Sequence, residues 1–496
     1  MIPRLEVDLA IPARGSRQRV RSIHRQLRQA IIDGRLKPGA RLPSTRAFAS
    51  EHGLARNTAC AVYDLLLAEG YIVARAGSGV FVAGIAPKHA RPTGRGAVRV
   101  DDHLRRQAER FCCLRLPAIA APSRIDMRLG IPDQSLFPFD VWRRLVGQAL
   151  RELARIPGSY ADAGVDGRLR EAIAAHVSFS RAIACDASEI VACNGAQQAF
   201  DLLARVLVRP GRTCVAVEDP GYLPLRRVFA GAGARVAPVP VDEEGIIVDR
   251  IPKEARLICV TPSHQFPLGV AMSARRRRAL LEFAGRAGAV IVEDDYDSEF
   301  RHGARPLDAL RTLDGGELVV YVGTFSKSMF PALRLGFLLC PAWLRPALAA
   351  ARAISAWHGR PVEEAALTAF VSEGHLARHI RKMRRVYSER RTALLAALHT
   401  HAGGWLKPTA CHAGLHVTAL AAGERKLDRL VERAHARGIA IDRIGRCATL
   451  PLKADGLALG FGACPERRIE EAVLTLLACA GGRGDRPRRA SPAACA

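Results

Sequence analysis

Between about residue 125 and residue 480 the chain alternates short apolar runs, "EIVAC", "TCVAV", "RLICV", "AVIVED" and "ELVVYVG", with amphipathic stretches of helix length. Runs that are apolar on both sides of the backbone suit strands buried on both faces, and the intervening helices supply the cover. The pattern predicts an α/β domain built on a mostly parallel central sheet, completed by a smaller α+β subdomain. Open sheets of this kind bind ligands beyond the C-terminal ends of their strands. The residues that follow each run are therefore the first place to look for chemistry.

Five of those ends carry polar groups. "ELVVYVG" runs into "GTFSKSMFPALRLG", where Lys327 sits among Thr324, Ser326 and Arg334. An amine beside two hydroxyls and a guanidinium suits an aldehyde cofactor that also carries a phosphate. "AVIVEDDYDSEF" places Asp294 and Tyr296 two residues apart, on the same side of an extended chain. A carboxylate can keep a pyridine nitrogen protonated, and a tyrosine can meet its phenolate oxygen. "EIVACNGAQQAF" ends in Gly195, Ala196 and Gln197 at the start of a helix, a ready anion site. "VAVEDPGY" puts Tyr222 where its ring can stack on a planar ligand, and "CVTPSHQFPLGV" brings in Ser263, His264 and Gln265. Singly, each feature has a bland reading: a surface lysine, a solvated or metal-binding acidic loop, a hydrogen-bonded core histidine. Their succession along one chain is what points to pyridoxal 5'-phosphate (PLP), with no metal.

The first eighty residues follow a different pattern. Ile23, Leu27, Ala30 and Ile31 recur at helical spacing until Gly34, and "KPGARLPS" leads to Ser44, a cap for the short helix "TRAFASEHG". A tight turn, "LARNT", precedes a third helix, and "GYIVARAGSGVFVA" reads as a hairpin around Gly77, Ser78 and Gly79. Two short helices joined by a turn and followed by a hairpin make a winged helix-turn-helix. The N-terminal side chains of its second helix, Arg56, Asn57 and Thr58, are candidates to read base edges of double-stranded operator DNA. Arg41, Ser44 and Arg46 suit phosphates, and Gly77 and Gly79 let the wing approach closely.

Boundaries follow from these patterns: 14–83 for the winged helix, 84–124 for a basic linker, 125–480 for the effector domain and 481–496 for a disordered tail. A formal charge of +26 is compatible with a nucleic-acid partner, although arginine is spread along the whole chain. The 13 cysteines are scattered, several inside apolar strands, and form no C-x-x-C pair. That usage predicts reduced thiols in a cytoplasmic protein, and no apolar stretch is long enough to span a membrane.

The succession "GRLKPGARLPSTR", "LARNT", "LLAEG" and "GSGVFV" resembles the winged helix of GntR-type bacterial regulators, with Ala55 where the family usually carries a capping serine. "TPSHQFP", "EDDYDSEF" and the Lys327 turn resemble the MocR subfamily, in which that winged helix is fused to a fold-type I aminotransferase-like domain. The resemblance implies Lys327 as the Schiff-base lysine, Asp294 at the pyridine nitrogen, Tyr296 at the phenolate oxygen and Tyr222 on the ring. It implies Thr324, Ser326, Arg334 and the Gly195–Gln197 turn at the phosphate, with Tyr160 reaching across from the second subunit of a homodimer. It also implies a regulator that senses PLP, or PLP joined to an amine or amino acid. A catalytic aminotransferase with a regulatory headpiece is the alternative, and a nonspecific basic nucleic-acid binder is a third reading. Catalytic members of the fold carry a carboxylate-clamping arginine in a late strand where this chain has Ala458, in "GLALGFGACPE"; Arg443 and Arg446 are the nearby substitutes.

Overall fold

The computed structural model describes residues 7–12, 18–84, 101–114, 123–155, 165–303, 308–411, 413–423 and 427–480. It divides into two compact units, Met1–Arg105 and Arg106–Ala496. In the first, helices α1 (Arg19–Ile32), α2 (Thr45–Glu51) and α3 (Arg56–Ala68) precede a hairpin of β1 (Ile72–Arg75) and β2 (Gly79–Val82). The residues read as the apolar face of the first helix, Ile23, Leu27, Ala30 and Ile31, are its buried residues. They pack with Phe48, Tyr63 and Leu66 into one core. Ser44 caps α2 by accepting from the Ala47 N–H at 3.2 Å, whereas α3 starts at Ala55 with no side-chain cap. A cap of that kind typically contributes about 1 kcal/mol.

Helix α4 (Asp102–Cys113) lies within the stretch read as a linker. Its first turn is held by Asp101, which accepts from the His103 N–H at 2.7 Å. An N-terminal carboxylate and a dozen residues without Pro or Gly suffice to start and carry a helix there. Residues 85–100 of that stretch, Tyr160, and the tail 481–496 lie outside the described residues.

The second unit continues with β3 (Ile125–Asp126), α5 (Phe139–Leu153), α6 (Val165–Arg181), β4 (Ile190–Cys193), α7 (Gly195–Leu207), β5 (Cys214–Asp219), α8 (Leu223–Gly231), β6 (Arg235–Asp242) and β7 (Gly245–Ile246). Then come β8 (Ala255–Val260), α9 (Ala274–Ala287), β9 (Val290–Asp295), α10 (Leu310–Asp314), β10 (Val319–Thr324), β11 (Gly336–Leu339), α11 (Arg345–Ala356), α12 (Pro361–Ser372) and α13 (His375–His401). The last elements are β12 (Leu406–Pro408), β13 (His416–Ala421), α14 (Leu427–Ala436), β14 (Ile439–Ala440), β15 (Asp442–Arg443), β16 (Gly456–Gly460) and α15 (Ile469–Ala480).

The described strands form an eight-stranded sheet in the order β4-β11-β10-β9-β8-β5-β6-β7. β10, β9, β8, β5 and β6 pair in parallel, and β11 runs antiparallel to both its neighbours. One face sends Val215, Leu257, Val292 and Val320 against Phe200, Leu203 and Phe229 of α7 and α8. The other sends Ala216, Ile258, Ile291 and Val319 against Leu280 and Ala284 of α9. Burial on both faces is what the near-continuous apolar runs require. A second, antiparallel sheet, β12-β13-β16-β15, packs on α13, α14 and α15 as the smaller subdomain. Among the described residues no helix is long and apolar enough to cross a membrane.

A buried ion pair ties the sheet to α6. Arg181 Nε lies 2.7 Å from Asp295 Oδ2 at the end of β9, the same oxygen accepts from the Tyr321 hydroxyl at 2.6 Å, and Arg181 Nη2 donates to Ser263 Oγ at 2.8 Å. Removing one member of a buried pair leaves an uncompensated charge, which costs about 3–5 kcal/mol. Arg181→Met is therefore expected to lower the urea midpoint of the large unit by an amount equivalent to roughly 3 kcal/mol.

Candidate functional site

Lys327 stands just past β10 in a turn that brings the chain back through β11. Its amine donates to the Gly130 carbonyl at 2.5 Å, and a Cβ on Gly130 would lie 2.9 Å from that nitrogen. Gly130, at φ +65°, is thus where the backbone must approach the lysine. The motif reading did not single it out; "RLGIPD", with a turn glycine before proline, carried the only hint. Burial lowers the Lys327 pKa, against the opposing pull of Asp297 and Asp294.

Asp294 is the next-to-last residue of β9, beside these groups. Its carboxyl is buried, Oδ1 has no hydrogen-bond partner, and burial together with Asp295, Asp297 and Glu218 pushes it up to about 8. An orphaned buried carboxylate oxygen is costly on its own, so the site is shaped for a cationic or N–H-bearing group. Glu218, at the end of β5, is a second such acid: Oε2 accepts from Thr261 Oγ1 at 2.6 Å, Oε1 is unpartnered, and burial raises the group to about 7.

The phosphate candidates also converge. α7 begins at Gly195 with no side-chain cap from Asn194, leaving its first-turn N–H groups available. Arg334, in the left-handed region at φ +51°, lays its guanidinium against this turn: a Cβ on Gly195 would meet Arg334 Nη2 at 3.2 Å. Ala196 and Gln197 follow in the same turn of helix, and Thr324 Oγ1 donates to Ser326 Oγ at 2.9 Å within the Lys327 turn. A helix N-terminus, a guanidinium and paired hydroxyls are groups of the kind that receive an anion. Tyr222, 37% exposed, stands just before α8 with its ring edge-on to Phe266 at 5.4 Å.

The "TPSHQFP" residues take other partners. The Ser263 hydroxyl accepts from Arg181, and Gln265 Nε2 donates to the Pro220 carbonyl at 2.9 Å and the Phe266 carbonyl at 2.7 Å while its Oε1 accepts from the Leu268 N–H. These two side chains are engaged by the scaffold. His264 is buried against Asp297, Tyr296 and Cys411.

The aminotransferase class I and II family profile matches residues 126–441, and that of bacterial regulatory proteins of the gntR family matches residues 19–82. The chain is 35% identical, over 92% of its own length and 92% of the relative's, to a probable rhizopine catabolism regulatory protein, MocR, of Rhizobium meliloti. This chain belongs to the MocR subfamily of GntR-type transcriptional regulators. It is also 30% identical, over 89% of its length and 91% of the relative's, to the pyridoxine biosynthesis transcriptional regulator PdxR of Corynebacterium glutamicum. Among solved structures it is similar to a multiple substrate aminotransferase from Thermococcus profundus (TM-score 0.66, 26% identity, 77% of this chain and 95% of that one). It is likewise similar to the α-aminoadipate aminotransferase LysN of Thermus thermophilus, solved with N-(5'-phosphopyridoxyl)-L-leucine (TM-score 0.65, 26% identity, 72% and 91%).

The cofactor of this MocR-type regulator's aminotransferase domain is PLP, and the residues present fit it. The orphaned Asp294 oxygen, the buried Lys327 amine and the uncapped α7 turn beside Arg334 match its pyridine nitrogen, aldehyde and phosphate in kind. The carboxylate clamp of the enzymes has no counterpart among the described residues at this place. Ala458 is buried on β16 between Thr418 and Asp442, Arg443 is held by Asp428 and Asp455, and Arg446 is exposed in the turn that follows β15.

In the winged helix of this regulator, Arg56 and Asn57 are exposed in the first turn of α3, and Thr58 is half-buried beside them. Arg46 is exposed on α2. Arg41 bridges to Phe81 of the wing, where a Cβ on Gly79 would meet its Nε at 3.1 Å; Gly77 and Gly79 both have positive φ.

A carboxyl whose folded pKa lies above its ordinary value contributes stability at low pH that is lost as pH rises through the folded value. For Asp294 that window runs from the ordinary carboxylate range up to about 8. Cofactor-free Asp294→Asn is therefore expected to melt a few degrees above wild type at a pH above that value and to lose the advantage on acidification. Added PLP should stabilise the wild type more than the variant in the same thermal melts.

Proposed function

We propose that this regulator senses PLP, or PLP joined to an amine or amino acid, and converts occupancy of that site into a change of DNA affinity. The observation that carries the reading is the pairing of an intact Lys327–Asp294 constellation with Ala458 in place of the clamp that a turnover enzyme uses for α-carboxylates. When bound, PLP supplies an aldehyde electrophile and a conjugated ring that can take up electron density.

The chain's own groups divide the work. Lys327 would hold the aldehyde carbon, its lowered pKa favouring the neutral, nucleophilic amine. Asp294 would keep the ring nitrogen protonated, Tyr296 would donate to the ring oxygen, and Tyr222 would cover one ring face. Thr324, Ser326, Arg334 and the Gly195–Gln197 turn would receive the phosphate. Tyr160 would reach the phosphate of a second copy, making the working form a homodimer with sites shared across its two-fold axis. Ser263, His264 and Gln265 support the site from behind, two of them through the hydrogen bonds described above.

On the DNA side, Arg56, Asn57 and Thr58 would read bases in the major groove, with Arg41, Ser44, Arg46 and the wing glycines Gly77 and Gly79 on the backbone. A dimer of such modules binds paired half-sites. Ligand binding shifts DNA affinity only if it favours one arrangement of the two units over another. An operator partner is in keeping with a cytoplasmic protein.

Purified wild type is expected to show a visible absorbance band that Lys327→Ala abolishes; an unchanged spectrum refutes the cofactor assignment. Arg56→Ala should weaken binding to a footprinted operator about tenfold or more, as loss of a base contact does, while leaving the PLP band intact. Equal protection of unrelated DNA, lost uniformly with salt, would instead support nonspecific binding.

A further inference from the structure

His264 belongs to a buried group of side chains whose other members, Asp297, Cys411 and His416, none of the preceding roles uses, and it is His264 that touches the Tyr296 hydroxyl. His264 Nδ1 lies 3.0 and 3.1 Å from the two Asp297 carboxylate oxygens and 3.0 Å from the Tyr296 hydroxyl. Asp297 also accepts from the Leu415 N–H at 3.3 Å.

The hydrogen bonds of this group have a forced direction. A carboxylate only accepts, so the shared hydrogen belongs to His264 Nδ1. A nitrogen that carries a hydrogen has no lone pair left, so the Tyr296 oxygen can accept from it and cannot donate to it. The phenol proton must then leave Tyr296 in another direction. On the far side of the ring, Nε2 faces Cys411 Sγ at 3.3 Å, and that thiol can donate to the Ala413 carbonyl at 3.0 Å, which leaves the sulfur to accept from Nε2–H.

The ring is locked in this orientation. A Cβ on Gly414 would lie 2.1 Å from His264 Cε1 and 2.4 Å from Asp297 Oδ2, so the backbone closes directly over the pair. Gly269 approaches from the other edge, with its Cβ position 3.4 Å from His264 Nε2. His416 stacks obliquely at 4.5 Å and donates Nε2–H to the Pro267 carbonyl at 3.0 Å. Burial opposes the charged form of His264, yet Asp297 and Cys411 outweigh it and hold the imidazole up at about 10, as a double donor. Burial and the His264 charge keep His416 well below its ordinary range, so the two rings do not compete for charge.

We propose that His264 is a positioning residue: held by Asp297 and backed by Cys411, it turns the Tyr296 hydroxyl proton out of the protein interior so that Tyr296 is a fixed donor to the ligand's ring oxygen. The inference rests on the PLP reading of the site and names what makes Tyr296 a donor there.

The test is a double-variant cycle on the full-length protein, with the visible spectrum and the PLP dissociation constant as readouts. Asn can place a donor where His264 Nδ1 stands, whereas Gln places one only near Nε2. His264→Gln and Tyr296→Phe are each expected to shift the band and weaken PLP binding about tenfold, the upper range for one hydrogen bond. The combined His264→Gln/Tyr296→Phe variant should be no weaker than Tyr296→Phe alone, and His264→Asn should stay near wild type. Additive losses in the double variant, or equal losses for Asn and Gln, overturn the role of His264 while leaving the cofactor reading intact. A wild type with no Lys327-dependent band overturns both. Cooperative thermal melts of each cofactor-free variant separate these outcomes from misfolding, and if Gln melts non-cooperatively the comparison of Asn with wild type still decides.

Discussion

A parallel sheet covered by helices on both faces leaves one place for ionisable groups to gather: the line past the C-terminal ends of its strands. In this chain β9, β10, β5 and β8 deliver Asp294, Lys327, Glu218 and the Ser263–Gln265 turn to that line. The connection after β10 returns through β11 and sets Arg334 against the start of α7, which itself follows β4. The candidate phosphate groups therefore meet because β11 pairs between β4 and β10, bringing two turns distant in sequence side by side.

Gathering acids at one edge has an electrostatic consequence. Asp294, Glu218 and Glu293 are all raised by burial, and two of them keep an oxygen with no partner. Nearby Arg181 and His264 offset part of the charge through Asp295 and Asp297. The oxygen left over on Asp294 is a buried acceptor without a partner, a costly arrangement that a cationic or N–H-bearing ligand would relieve. On the function proposed above, such a site serves binding, and binding would be the regulator's signal.

Much of this was legible in the sequence. The apolar runs located the strands, because a doubly buried strand can be made of little else. The polar strings located the strand ends, because soluble groups cannot sit earlier. Other residues were not legible. Ser263 and Gln265 carry the right chemistry in the right motif, yet Arg181, Pro220 and Phe266 take up their hydrogen bonds. Gly130 and Cys411 stand 197 and 147 residues from the groups they touch, and no local pattern announces such a meeting. The helix Asp102–Cys113 escaped because the Pro, Gly and arginine residues of the stretch around it masked its short periodic pattern.

By itself the sequence determined the two units, the winged helix with its uncapped third helix, the mostly parallel sheet and the family, since these depend on periodicity, turn chemistry and contiguous motifs. Only the tertiary structure decided which polar groups are free. Asp294 is left with an unpartnered oxygen, Asp297 is given to His264, and Tyr296 is given a neighbour that can donate to it but not accept. A hydrogen bond has a direction and a single donor, so its allocation depends on which groups meet in space, and residue type alone cannot assign it.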